Sequence, residues 1–293
     1  MNGFSSLHPV PAAFYFISVL AITMFSINPL LLFIALVGSF LFYLKMNSKK
    51  MQLKEFIFYL FAFLVVSLTN PLFSHKGATP LFFLNGNPIT LEALLYGVDI
   101  AILFIAVVFW FKCFNLVITD DKLLFLFDKI SPKVALLLSS AVRFIPLLKR
   151  QAAKIRQSQT AMGMFSSDTW TDKLKSTLKV YSALISWGLE NAIDTGSSMK
   201  ARGYGLGGRK SYSLYTFRKS DAFFMLIIAL LDLIIITALY KGCLNFYFYP
   251  QITIPSFNAY KVSAVVSFSA LCLLPFITQV KEDCKWKYYR LKI

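Results

Sequence analysis

The chain has 293 residues, of which 57% are hydrophobic and only 15% are charged, and its mean hydropathy is +0.63. Soluble domains carry roughly a quarter charged residues, so this composition excludes a soluble globular protein and indicates an integral membrane one. Net charge is +16, from 30 Lys and Arg against 14 Asp and Glu; in a membrane protein such an excess marks basic cytoplasmic segments and gives no reason to invoke nucleic acid.

Six runs are apolar enough to cross a bilayer, at 10–27, 29–44, 54–70, 93–111, 222–240 and 262–280. A crossing takes roughly 20 such residues, so 29–44 is short. Asn28-Pro29 separates the first two, because proline ends helices. The first basic residue is Lys45, so the first run is expected to be a retained helix and not a cleavable signal peptide. Segment 45–54, "KMNSKKMQLK", holds four lysines and no acid, which places it in the cytoplasm. Alternation then puts both termini inside, loops 71–92 and 241–261 outside, and 112–219 inside. The inner segment has 18 Lys and Arg against 7 acids, whereas the two outer loops hold only Lys76, Lys241 and Lys261. The tail "KEDCKWKYYRLKI" is basic and falls inside as well. In the outer loop, Asn85-Gly86 predicts a short hairpin. Thr90 is a suitable N-cap for the next crossing, with Glu92 in its first turn.

The inner segment reads as two helical arms. The first runs from about Pro132 to Phe165. Its front half, "VALLLSSAVRFIPLL", carries Arg143 and Pro146 and is too short to cross, so it is expected to dip into the inner leaflet. Its back half carries Lys149, Arg150, Lys154 and Arg156, a stretch suited to anionic lipid. Leu148, Ala152, Ile155 and Met162 fall at helical spacing and predict one face. The second arm starts near Asp168 to Asp172 and ends at Arg202. Its stripe is Leu174, Leu178, Tyr181, Ile185, Gly188, Ala192 and Met199, and a long amphipathic helix of this kind wants a partner along that stripe. Both arms close alike: "SQTAMG" from Ser158 and "SMKARG" from Ser198 give S-x-x-A-x-G twice. The fold class is therefore an all-α integral membrane protein with about six transmembrane helices and two long cytoplasmic helices. Its divisions are 1–111 (with the outer hairpin loop 71–92), 112–219 and 220–293.

Gly203, Gly205 and Gly208 spell G-x-G-x-x-G, but the dinucleotide fingerprint needs a strand before it and a helix opening after it. A helix precedes here, and Gly208-Arg209-Lys210 lacks the Ser or Thr of a phosphate loop, so the nucleotide reading fails. Locally, Gly203 reads as a left-handed helix stop, with Arg202 complementing the dipole. A partner reading keeps that geometry: Ala201 is small enough to seat closely in a groove, and Arg202 offers a planar fork to a carboxylate there.

Asp99 and Asp232 lie within crossings, where an acid is by default a candidate site with Arg143 a possible partner; simple pairing of buried charge is the preferred account. Four cysteines, Cys113, Cys243, Cys272 and Cys284, show no metal-ligand spacing and imply no disulfide framework. With only His8 and His75, and Asp120-Asp121 as the one acidic pair, an intramembrane enzyme is hard to assemble. A secondary transporter lacks broken helices in matching halves. A membrane scaffold or insertion protein using basic amphipathic arms is the alternative that survives.

At these residues the chain resembles the transmembrane (T) component of energy-coupling-factor (ECF) transporters, ABC-type importers for vitamins and trace metals. The resemblance rests on "AVRFIPLL" (141–148), the helix ending in "TAMG", and "SSMKARGYG" (197–205), with "NPLFSHKGATPLFF" (70–83) and "TLEALLYG" (90–97) in support. It implies a non-catalytic subunit of a bacterial cell membrane whose two cytoplasmic coupling helices, each ending in Ala-Arg-Gly, dock into two ABC-type ATPases. The membrane part would hold a small substrate-binding S component. ATP would be bound by the partners and no cofactor by this chain. Ala201, Arg202 and Gly203 fill the second motif intact. Ala161, Met162 and Gly163 fill the first with Met in the place of Arg, so there either an apolar pocket receives the thioether or a supporting basic residue (Arg156, Lys154) supplies the charge. Arg143 completes the supporting set.

Overall fold

The computed structural model describes residues 4–46, 53–74, 77–84, 87–165, 169–206, 215–250, 252–253 and 258–292. Numbered in chain order, the helices are α1 (Pro9–Phe25), α2 (Pro29–Met46), α3 (Leu53–Phe73), α4 (Leu91–Val117), α5 (Asp120–Ile130), α6 (Pro132–Ala161), α7 (Trp170–Ala201), α8 (Lys219–Tyr240) and α9 (Ala259–Lys292). Strands β1 (Pro80–Leu84) and β2 (Asn87–Thr90) pair antiparallel between α3 and α4. The chain divides into two compact units, 1–123 with 215–293, and 124–214.

The first unit is the membrane bundle. Among the described residues, α2, α3, α4, α8 and α9 are long and apolar enough to cross. α1, at 17 residues, falls just short. The predicted break at Asn28-Pro29 separates α1 from α2, and the structure adds how Asn28 holds it: its Oδ1 accepts from the Leu30 N–H, while Nδ2 donates to the Leu244 carbonyl. A single 3₁₀ turn, Phe4–Ser6, precedes α1 and drives Phe4 into the bundle. There the ring meets Tyr15, Phe16, Phe42 and Phe224 edge-on at 5.2–6.0 Å. Edge-to-face contact of this kind is worth about 0.5–1.5 kcal/mol per pair beyond burial. Tyr15, fully buried, donates its hydroxyl to the Leu271 carbonyl on α9.

The two ends of the bundle are chemically distinct. At one, Lys112 sits over the rings of Tyr43 and Tyr59 and 3.6 Å from Glu55, while Lys45 pairs with Asp283 at 2.8 Å. These groups tie the ends of α2 and α4 and the tail of α9 to the start of α3. At the other end, Tyr96 at the start of α4 packs on Phe248 and Tyr249. The Asn85-Gly86 turn lies outside the described residues, but the strands on either side of it pair as a hairpin. Thr90 accepts from the Ala93 N–H as the expected cap. Glu92 does more than complement a dipole: it accepts from the N–H and hydroxyl of Thr79, locking the strand pair onto α4.

Several sequence expectations are corrected. α5 was not foreseen; the stretch after α4 forms a separate 11-residue amphipathic helix opened by Asp120 and Asp121. α3 continues through Pro71 to Phe73, α4 reaches Val117, and α9 runs on through the basic tail. Asp99 and Asp232 are not simply paired. Asp99 is 3% exposed and both its carboxyl oxygens lack a hydrogen-bond partner, as does Asp232 Oδ1. Lys49, Lys50, His75 and Lys76 lie outside the described residues. His8 caps α1 through Nδ1, which accepts from the Val10 N–H, and lies edge-on to Phe217.

α3 and α4 touch most closely at Gly97, where an added Cβ would collide with the Ser67 carbonyl and meet Pro71 at 3.3 Å. Close backbone approach through small residues is how helices pack in lipid. Gly196, in the interior of α7, has nothing within 4 Å of its Cβ position. Gly97→Ala is therefore expected to cost about 1–3 kcal/mol through forced separation. Gly196→Ala should gain up to about 1 kcal/mol from helix propensity. Thermal unfolding of the two variants in one detergent reads the contrast, and equal shifts would sink the packing argument.

Candidate functional site

The second unit holds the two arms. α6 spans 30 residues and α7 spans 32, about 45–48 Å each. Leu148, Ala152 and Ile155 form a half-buried face of α6, and Leu148 lies opposite Gly188 of α7. Met162 does not extend that face as the spacing suggested. It has left the helix, serves as its C-cap, and is 72% exposed. Most of the α7 stripe stays uncovered: Leu174, Leu178, Tyr181 and Ile185 are exposed, whereas Gly188 and Met199 are half-buried. Asp168, a possible first cap of this arm, lies outside the described residues; Thr169 occupies the cap.

The two arm tips are built alike. At the end of α6, Met162 N–H donates to the Ser158 carbonyl, Gly163 N–H to Thr160 and Met164 N–H to Gln159. At the end of α7, Arg202 N–H donates to the Ser198 carbonyl, Gly203 N–H to Lys200 and Tyr204 N–H to Met199. This is the same 6→1 and 5→2 pattern twice, the Schellman termination. It needs a left-handed residue at the position after the cap, and Gly163 and Gly203 supply it at φ +80° and +79°. The repeated S-x-x-A-x-G thus has a structural meaning. Ser accepts the final helical bond, Ala closes the helix, the next residue caps it, and Gly turns the chain.

What differs is the cap side chain, a thioether at Met162 and a guanidinium at Arg202, both exposed. The supporting residues part company. Arg156 lies over the Phe165 ring at 5.4 Å, so its charge helps fold the turn after α6. Lys154 is exposed. Arg143 lines a cavity with Arg150, far up the helix from the tip. The turn is anchored by Ser176, buried, whose hydroxyl donates to the Met164 carbonyl at 2.6 Å. Sequence reasoning missed that tie, since a lone serine on a helix carries no signal. Gly208, Arg209 and Lys210 lie outside the described residues.

Residues 5–213 match the CbiQ family, cobalt transport protein. The energy-coupling factor transporter transmembrane protein EcfT of Listeria innocua serovar 6a is 30% identical over 216 residues, covering 68% of this chain and 80% of its own. The EcfT of Macrococcus caseolyticus is 29% identical over 188 residues, 60% of this chain and 69% of its own. That of Lactobacillus helveticus is 33% identical over 105 residues, 34% of this chain and 38% of its own.

The tip geometry makes a sharp demand. Gly163 has open space around its Cβ position, so Gly163→Ala should cost only backbone strain, about 1–2 kcal/mol. Asn tolerates the left-handed region better. Amide exchange at residues 163 and 164 is expected to quicken roughly five- to thirty-fold in Gly163→Ala and clearly less in Gly163→Asn. Equal exchange in the two variants would contradict the left-handed tip.

Proposed function

The chain belongs to the CbiQ cobalt transport protein family as the transmembrane (T) component of an energy-coupling-factor transporter, and we propose that its two arm tips are the points at which partner ATPases grip it. The observation that carries this is the pair of identical, exposed Schellman ends on long helices. A grip must present one side chain at a fixed place and then clear the chain away, and the left-handed glycine does both.

At the second tip, Ala201 lets the helix end seat closely and Arg202 presents its fork to a carboxylate in an ATPase groove. Charge-assisted, bidentate contacts are the strong ones. At the first tip, Ala161, Met162 and Gly163 offer an adaptable thioether to an apolar pocket. Arg156 is engaged with Phe165, which favours this over a substituted charge. Two tips of different chemistry suit two non-identical ATPases. ATP is bound and hydrolysed by those partners, with no cofactor held here. Their closure moves the arms, and the membrane bundle passes the motion to a small S component that releases a vitamin or trace metal inside a bacterial cell. In this reading both termini and the arms face the cytoplasm.

The test is native purification of the tagged chain. Two ABC-type ATPases and a small membrane protein are expected to accompany it. Arg202→Glu, which turns an attraction into a repulsion, should lose an ATPase and lower uptake at least tenfold, since a charged hydrogen bond is worth about 1.5–3 kcal/mol. Met162→Arg should weaken retention of the other ATPase alone. Full retention of both by Arg202→Glu would remove the grip from this tip.

A further inference from the structure

Between α6 and α7 lies a cavity of about 450 Å³ that the coupling role does not use. Arg143 and Arg150 line it from α6, Asn191 and Thr195 from α7, and Phe144, Pro146 and Leu147 supply apolar wall. Seven residues apart, the two arginines share one helix face and lie about 10.5 Å apart along the axis. Asn191 and Thr195, four apart, share the facing side of α7. The geometry points to a binding site for a phosphate-bearing amphiphile, the headgroup of an anionic phospholipid, held between the Arg143 and Arg150 guanidinium groups.

Three features argue for this ligand. The first is unbalanced charge: among the described residues no carboxylate lies within ion-pair distance of Arg143 or Arg150. Glu190 and Asp194 flank the α7 wall in sequence without lining the cavity. Two cationic forks lining one concave site with no acid among the lining residues attract an anion, and guanidinium forks match phosphate oxygens bidentately. The second is the neutral wall. The Thr195 hydroxyl is turned back onto the Asn191 main-chain carbonyl at 2.7 Å, and the Asn191 side-chain amide brings a donor that adds no charge. The third is the apolar side. Phe144, Pro146 and Leu147 belong to the hydrophobic front half of α6, where Leu137 and Ile145 are exposed. A free phosphate has no use for such a wall, whereas a lipid runs its acyl chains along it. Volumes of about 300–1,000 Å³ are ordinary for small-molecule sites.

The full chain in a mild neutral detergent is titrated with dioctanoyl phosphatidylglycerol, with dioctanoylglycerol (the same chains without phosphate), and with inorganic phosphate as competitor. Phosphatidylglycerol is expected to bind at least tenfold more tightly than dioctanoylglycerol. The double variant Arg143→Gln/Arg150→Gln should lose that preference. Lys175→Gln/Lys179→Gln, an equal change in net charge away from the cavity, should keep it within about twofold. Asn191→Trp, which puts a large side chain into the cavity and leaves both arginines in place, should also abolish it, so the result does not hang on one variant's folding. Displacement by millimolar inorganic phosphate would assign the same site to free phosphate; resistance to it assigns the site to lipid. Equal binding of the two amphiphiles, or equal loss in the two charge variants, would overturn the site.

Discussion

Each arm can end as it does only because residues 163 and 203 have no Cβ. A residue with a side chain pays about 1–2 kcal/mol to enter the left-handed region, and both positions occupy it at nearly the same φ. That constraint fixes the direction in which the chain leaves the helix. It also uses the N–H groups of the cap and of the two residues after it in helix-closing bonds, so what the cap has left to donate lies in its side chain. Everything proposed for the tips follows from this. Two frames that match in their helix-closing bonds carry a thioether on one and a guanidinium on the other, so the cap side chain distinguishes the tips where those bonds do not.

Much of this was legible in the sequence, for physical reasons that differ by element. The crossings announce themselves because lipid demands about 20 apolar residues and tolerates few charges. The tips were legible because glycine after an amphipathic run has few other uses, and the same six-residue frame occurs twice. Thr90 was readable as a cap because its short polar side chain satisfies an orphan backbone group, and the break at Asn28-Pro29 because proline ends helices. Helix limits were less readable. Hydropathy falls away at Lys112, but the helix continues, since Lys112 is accommodated by Tyr43, Tyr59 and Glu55 from neighbouring helices. No local pattern encodes such tertiary support. α5 was lost for another reason. Leu123, Leu124, Leu126 and Phe127 form too short a run to stand out between a crossing and a proline-led helix.

The cavity was illegible in principle. Arg143 and Arg150 are visible as neighbours on one face of α6, but Asn191 and Thr195 come opposite them only through the register in which α7 packs. The same holds for the stripe of α7. Its periodicity correctly foretold an amphipathic helix, while the side on which α6 packs could not be foretold. The structure leaves Leu174, Leu178, Tyr181 and Ile185 outward. An apolar row of that length is more than an isolated soluble chain usually exposes, which is in keeping with a subunit of a membrane transporter.

The two arms also differ in the continuity of their backbone bonding, and the difference falls on the same side as the difference in their tips. α7 carries no proline along its 32 residues, so a displacement of its tip is passed along an unbroken ladder of hydrogen bonds. α6 contains Pro146, which has no N–H to give and withholds the bond that the Val142 carbonyl would otherwise accept. A helix bends most readily at such a point. The arm with the intact Ala-Arg-Gly end therefore keeps every backbone bond of its helix, and the arm with Met162 lacks one. In the coupling proposed, a force applied at Arg202 would run along an unbroken hydrogen-bond ladder, whereas one applied at Met162 would meet Pro146 about 24 Å behind the tip. That proline lies in the wall of the arginine-lined cavity. A ligand of the kind proposed for that cavity would therefore touch both helices beside the one backbone bond that α6 lacks.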